Sequence, residues 1–152
     1  MDAVSALKHK GMSLLEVLLV LSIIGIFSTL GWLSLRTFQT RLEVQQAQQT
    51  LVSTLNRARS NARRFSRDEA VNWTETTLTV GTGSAAKTVD LSEAGTVTLE
   101  VTKGSATGPI VYQGPYARVG GADREFTLSG RGGRTARVRV FGVTGKAAVS
   151  ED

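Results

Sequence analysis

"KHKGMSLLEVLLVLSIIGIF", residues 8–27, sets one carboxylate, Glu16, inside an apolar run that opens behind a small basic cluster. The run extends from Met12 to about Leu35, and roughly 20 residues at 1.5 Å rise each are enough to cross a bilayer. An apolar helix of that length needs lipid or other helices around it. A carboxylate within such a span costs about 2.5–3.5 kcal/mol near its centre and less near an end, where it reaches the headgroups. Glu16 therefore either snorkels to the interface or meets a partner that offsets its burial.

Lys8, His9 and Lys10 precede the run and Arg36 and Arg41 follow it, so positive charge alone does not orient the segment. A secretory signal would carry an apolar region of about 7–15 residues and a small-x-small cleavage site. "STLGWLSL", residues 28–35, supplies Trp and Leu instead.

Beyond the run the pattern becomes periodic. Phe38, Leu42, Leu51, Leu55, Ala58, Ala62 and Phe65 recur at three- and four-residue steps, the signature of one apolar helix face, while Gln45, Gln46, Gln48, Gln49 and Asn56 mark the polar one. No proline occurs before Pro109, so nothing forces a break between Met12 and Phe65. The expectation is one long helix, with Gly25 and Gly31 as its softest points.

From Val71 onward the alternation is that of strands. "GTVTLEVT", residues 95–102, "REFTLSG", from Arg124, and "RTARVRVFGVTGKAAV", from Arg134, each alternate apolar with polar side chains. The last reads as two strands about a Thr144-Gly145 turn, with Val138 and Val140 inward and Arg137 and Arg139 outward. "GTGSAAK" and "KGSATGP" read as Gly/Ser-rich connections. The predicted fold class is α+β: a long N-terminal helix, transmembrane in its first half and amphipathic in its second, packed on an antiparallel β-sheet. The expected divisions are residues 1–11, 12–35, 36–67 and 68–152.

At 152 residues the chain has room for one modest domain and an anchor. It has no cysteine, which excludes disulfides and thiolate metal sites. Its one histidine, His9, lies ahead of the apolar run. "GRGGR", residues 130–134, lacks the strand-to-helix setting of a nucleotide loop, and "NWT", residues 72–74, matches a glycosylation acceptor whose Trp73 also suits a core. No enzyme activity, metal or cofactor is expected. The 18 Lys+Arg against 13 Asp+Glu favour anionic partners. Arg57, Arg59, Arg63, Arg64 and Arg67 crowd the helix end, and Arg118, Arg124, Arg131, Arg134, Arg137, Arg139 and Lys146 dominate the last third.

"GMSLLEVLLVLSIIG" resembles the class III signal of type IV pilins and pseudopilins, in which a prepilin peptidase cuts after a glycine and methylates the new amine. The resemblance implies cleavage between Gly11 and Met12, N-methylation of Met12, and Glu16 as the fifth mature residue. It also implies a role for Glu16 in filament assembly, pairing with the free amine of a neighbouring subunit. Residues 1–11 become the leader. Met stands where Phe is usual, and the leader is somewhat long. The implied partners are other pilins or pseudopilins, the prepilin peptidase and an inner-membrane assembly platform. The implied location is a single inner-membrane pass with the C-terminal domain outside the cytoplasm, then the pilus or pseudopilus.

"LVSTLNRARSNARR", residues 51–64, and the ending "FTLSGRGG…ARVRVFGVTGKAAV" are similar to the GspH/FimT group, whose FimT members are DNA-binding minor pilins of natural transformation. The group's Gly-Arg-x-Arg tail corresponds here to Gly145, Lys146, Ala147 and Ala148, which keeps one of the two basic residues. The resemblance makes Lys146, and the local excess of charge on the adjacent turn and strand makes Arg131, Arg134, Arg137 and Arg139, the candidate contacts to double-stranded DNA, through phosphates and without sequence readout. The competing reading has these arginines facing acidic neighbours or solvating a sheet edge, and those at the helix end complementing its dipole. The functional expectation is a minor pilin or pseudopilin that assembles into or primes a filament, with DNA uptake as its sharper form and a GspH-like pseudopilin of type II secretion as the alternative.

Overall fold

The computed structural model describes residues 13–92, 95–104 and 108–150, apart from the side chains of residues 29–31 and 33. Gly11 and Met12 lie outside the described residues. The chain divides into two compact units, up to Thr37 and from Phe38.

Helix α1 runs Leu14–Phe65 and passes through Gly25 and Gly31 without a break, since no proline removes a backbone donor. In the first unit the hydroxyls of Ser22 and Ser28 donate to the carbonyls of Leu18 and Ile24, both at 2.8 Å, which satisfies these polar groups within an otherwise apolar stretch. Among the described residues, no helix is long and apolar enough to cross a membrane. The span expected over 12–35 runs through positions 12, 29–31 and 33, which lie outside that description.

In the second unit α1 is followed, among the described residues, by nine strands: β1 Glu69–Trp73, β2 Thr77–Val80, β3 Lys87–Asp90, β4 Thr98–Lys103, β5 Ile110–Gln113, β6 Arg118–Val119, β7 Arg124–Ser129, β8 Thr135–Val140 and β9 Ala147–Ser150. They form a five-stranded sheet in the order β3-β2-β1-β5-β6 and a four-stranded sheet in the order β4-β7-β8-β9. Every pairing is antiparallel. The expected single sheet is thus two, bridged by an edge-to-face contact of Trp73 on Phe126, centroids 5.3 Å apart.

The helix buries Val44, Ala47, Leu51, Leu55, Ala58 and Ala62. Each buried Leu is worth about 1.5–3 kcal/mol, and the three alanines let the helix sit close to the strands. The sequence-based stripe was displaced at both ends, for Phe38, Leu42 and Phe65 are exposed, at 57%, 38% and 55%. The sheets end near the level of Val44, whose Cγ2 fills the space a side chain at Gly130 would need. At the other end of the helix the exposed Phe65 ring has the guanidinium groups of Arg64 and Arg67 stacked at 5.4 and 5.3 Å.

Val138 and Val140 are buried and Arg137 is exposed, as the alternation requires. The strand expected from Gly95 begins only at Thr98, although Val97 already packs in the core.

Candidate assembly segment and basic surface

Glu16 sits in the first turn of α1 and is exposed. Its backbone N–H donates to the carbonyl of Ser13 at 3.0 Å. A carboxylate here faces the unpaired N–H groups and positive dipole end of the helix, an interaction worth about 0.3–1 kcal/mol on exposed helices. Around it Leu14, Leu15, Leu18, Leu19, Leu21 and Ile24 are all more than half exposed. An apolar surface of this extent marks a segment meant for lipid or for other helices.

The arginines at the helix end serve different ends. Arg59 donates through Nε to the carbonyl of Thr144 at 2.8 Å, which ties α1 to the β8–β9 turn. Arg67 lies 3.6 Å from the buried Glu69. Arg63 and Arg64, with Asn56, Arg59, Ser60 and Pro115, line an open hollow of about 500 Å³. Asn56, which the helical pattern places on the polar face, instead reaches the sheet. Its Nδ2 donates to the carbonyl of Ala147 at 3.1 Å, and the N–H of Ala147 donates to its Oδ1 at 3.2 Å.

The candidate DNA-contacting residues are spread along β8 rather than gathered. Arg131 and Arg134 are exposed on the β7–β8 turn, and Lys146 is exposed beyond the far end of β8, about 20 Å away at strand rise. Between them, Arg139 donates to Oδ2 of Asp123 from Nε at 3.1 Å and Nη2 at 2.8 Å. Arg137 stands 4.0 Å from Glu125. The Asp123 carboxyl is held below the usual carboxylate range, first by the Gly142 N–H and then by Arg139. In the tail, Gly145 takes a left-handed conformation (φ 64°), and a side chain there would run into the carbonyl of Ala117.

Sequence reasoning missed Asp123, Asn56 and Tyr112. Tyr112 is fully buried and its hydroxyl has no hydrogen-bond partner among the described residues. Burial raises its pKa above the ordinary tyrosine value. Asp123 and Arg139 lie 16 positions apart, a pairing visible only once β7 and β8 are in register. Among the described residues, no group of His, Asp or Glu side chains is placed to hold a metal ion.

The prokaryotic N-terminal methylation motif matches residues 7–32. That motif covers the N-terminal stretch alone, and the helix-on-sheet architecture behind it is the fold of solved type IV minor pilins. Two solved structures, both of the type IV minor pilin FimU of Pseudomonas aeruginosa strain PAO1, share the fold. The P21 crystal form has a TM-score of 0.61 at 19% identity and covers 75% of this chain and 92% of FimU. For the P65 form the TM-score is 0.57 at 16% identity, with 70% and 92% covered. No curated protein matches the sequence.

Proposed function

We propose that the chain is a prepilin whose leader, residues 1–11, is removed between Gly11 and Met12, and whose mature form is a minor pilin or pseudopilin of a type IV filament machine. Residues 12–35 anchor it in the inner membrane until Glu16 pairs with the methylated amine at Met12 of a neighbouring subunit and draws it into the filament. Residues 36–67 carry the sheets, residues 68–152, outside the cytoplasm. Its partners are the prepilin peptidase, the assembly platform and other pilins. The observation that carries this reading is the coincidence of a methylation motif over residues 7–32 with a helix that runs Leu14–Phe65 into the sheet domain. Intact-mass analysis of the membrane-extracted protein tests it: a mature chain beginning at N-methylated Met12 is expected, and a retained leader overturns it.

DNA capture for uptake in natural transformation is a second reading, favoured by the exposure of Arg131, Arg134 and Lys146. These residues make no ion pair among the described residues. Arg137 and Arg139 already face carboxylates, which leaves this reading fewer contacts than the sequence offers. Titration of duplex DNA at low salt tests it. Affinity that falls with salt, with a slope reduced by about one for each arginine removed from the turn, supports it; no binding removes it.

A further inference from the structure

Glu69 is the one charged side chain buried among the described residues, with 8% of it exposed. Its carboxylate accepts no hydrogen bond there. Its one partner is Arg67, which is 65% exposed and, at 3.6 Å, beyond hydrogen-bond reach. A carboxylate so placed has given up water without gaining donors, which is unfavourable unless something supplies them.

The strand register shows where Glu69 lies. Val71, two positions along β1 and fully buried, pairs with Val80 of β2, and Val80 pairs with Lys87 of the edge strand β3. Opposed residues share a face of a sheet, and so do alternate residues of a strand. Glu69, Val80, Lys87 and Val89 therefore share the face that carries Val71. Opposite them α1 presents Thr54, Arg57, Ala58 and Asn61, one stripe at three- and four-residue spacings. Between helix and sheet lies a hollow of about 220 Å³, the liquid volume of about seven waters. Its inner lining is apolar at Ala58, Val80 and Val89 and acidic at Glu69, all buried or half-buried. Its rim is cationic at Arg57, Arg67 and Lys87, all exposed. Arg57 and Lys87 make no ion pair among the described residues.

We propose that this hollow binds a free α-amino acid with a small aliphatic side chain. Its ammonium sits on Glu69, its carboxylate on Arg57 and Lys87, and its side chain against Ala58, Val80 and Val89. Other ligand classes fail on charge. A simple cation would sit within a ring of three positive side chains, and a simple anion would sit against a buried carboxylate. A metal ion would find a single carboxylate. A zwitterion meets both signs at once: the ammonium brings the donors that Glu69 lacks, and the rim meets the carboxylate with charge-assisted hydrogen bonds. Thr54 and Asn61 add neutral hydrogen-bonding groups beside them. The hollow shares no residue with Glu16 or with the candidate DNA contacts, so its occupancy is independent of both the filament reading and the DNA reading.

The test is equilibrium dialysis of the full-length chain in detergent micelles against radiolabelled L-valine, for which saturable uptake is expected. Unlabelled isobutylamine lacks the carboxylate and unlabelled isovalerate lacks the ammonium. Each should compete about ten- to hundredfold less well than unlabelled valine, the loss expected for one charge-assisted hydrogen bond. Glu69→Gln keeps the shape of the side chain and should weaken uptake by a similar factor. Lys87→Ala, on the exposed edge strand, should weaken uptake while leaving the circular dichroism spectrum unchanged. The two analogues and Lys87→Ala decide the matter independently of how Glu69→Gln folds. Absence of saturable uptake overturns the proposal. So does isovalerate competing as well as valine, which would make this an anion site, or isobutylamine doing so, which would make it a cation site. Wild-type uptake by Glu69→Gln or Lys87→Ala would overturn it too, leaving Glu69 as a partner of Arg67 alone.

Discussion

Arg139 grips one oxygen of Asp123 through both Nε and Nη2, while the other oxygen accepts the N–H of Gly142 at 3.0 Å. One carboxylate thus ties the loop before β7 to the end of β8 and the turn that follows. Because the folded pKa is depressed, its contribution to stability is complete above the unfolded carboxylate value of about 3.9. It is lost as pH falls through the folded value. Asp90, lowered first by the Ser92 hydroxyl and then by the Ser92 N–H, adds to the same acid limb. Thermal melts across this range should show Asp123→Asn less stable than wild type at neutral pH, with the difference shrinking as pH falls below about 4. An unchanging difference would mean that the ties of Asp123 are not what titrates.

A second prediction concerns Asn56. Asn56→Ala leaves the N–H and carbonyl of Ala147 without partners at a part-buried position, and should lower stability by about 1–3 kcal/mol in urea titrations. Asn56→Asp keeps the acceptor but sets a carboxylate against the carbonyl of Ala147, and should be no better. Wild-type stability for either would show that water replaces the amide.

Tyr112 is expected to behave in the opposite sense. Its buried hydroxyl has no partner among the described residues, so Tyr112→Phe should be neutral or stabilising, since an unsatisfied polar group is removed at constant shape. Its raised pKa favours the neutral phenol in the folded state. That stabilisation is present below the unfolded value of about 10 and is lost as pH rises through the folded one. Tyr112→Phe should therefore soften the decline of stability on the alkaline side. A clear loss of stability at neutral pH would reveal a partner for the hydroxyl.

For Glu16, substitution by Val or Ala should leave membrane insertion and leader cleavage intact while removing the protein from sheared filaments. Immunoblots of membrane and filament fractions measure both. Unchanged incorporation would assign Glu16 to the helix terminus alone, where the first turn already favours a carboxylate.

Much of this fold is legible in the sequence because local signals agree there. The helix carries no internal proline, and β7 and β8 alternate cleanly enough to place Phe126, Leu128, Val138 and Val140 in the core. Less legible is where packing begins and ends along the helix, because Phe38 and Leu42 obey the period as well as Leu51 and Leu55 do. Only packing against the Gly130 turn makes Val44 the first buried residue of the stripe. Division of the strands into two sheets was hidden for the same reason, since β1, β2, β5 and β6 are short and Trp73 meets Phe126 only in three dimensions. In the candidate sites, the residue types were readable and their engagement was not. Nothing local distinguishes Arg139, held by Asp123, from Arg134, which stays exposed.

The pairing of Asn56 with Ala147 also bears on how the β9 edge is kept from pairing with another strand. β9 is the last strand of its sheet, and the alternation of its pairing to β8 turns the backbone groups of Ala147 and Val149 outward. An incoming strand needs consecutive free rungs to begin a ladder, and the amide of Asn56 occupies the first of them. A single open rung at Val149 is too little to template growth. At this edge the helix thus lends one side chain as a stand-in for a further strand.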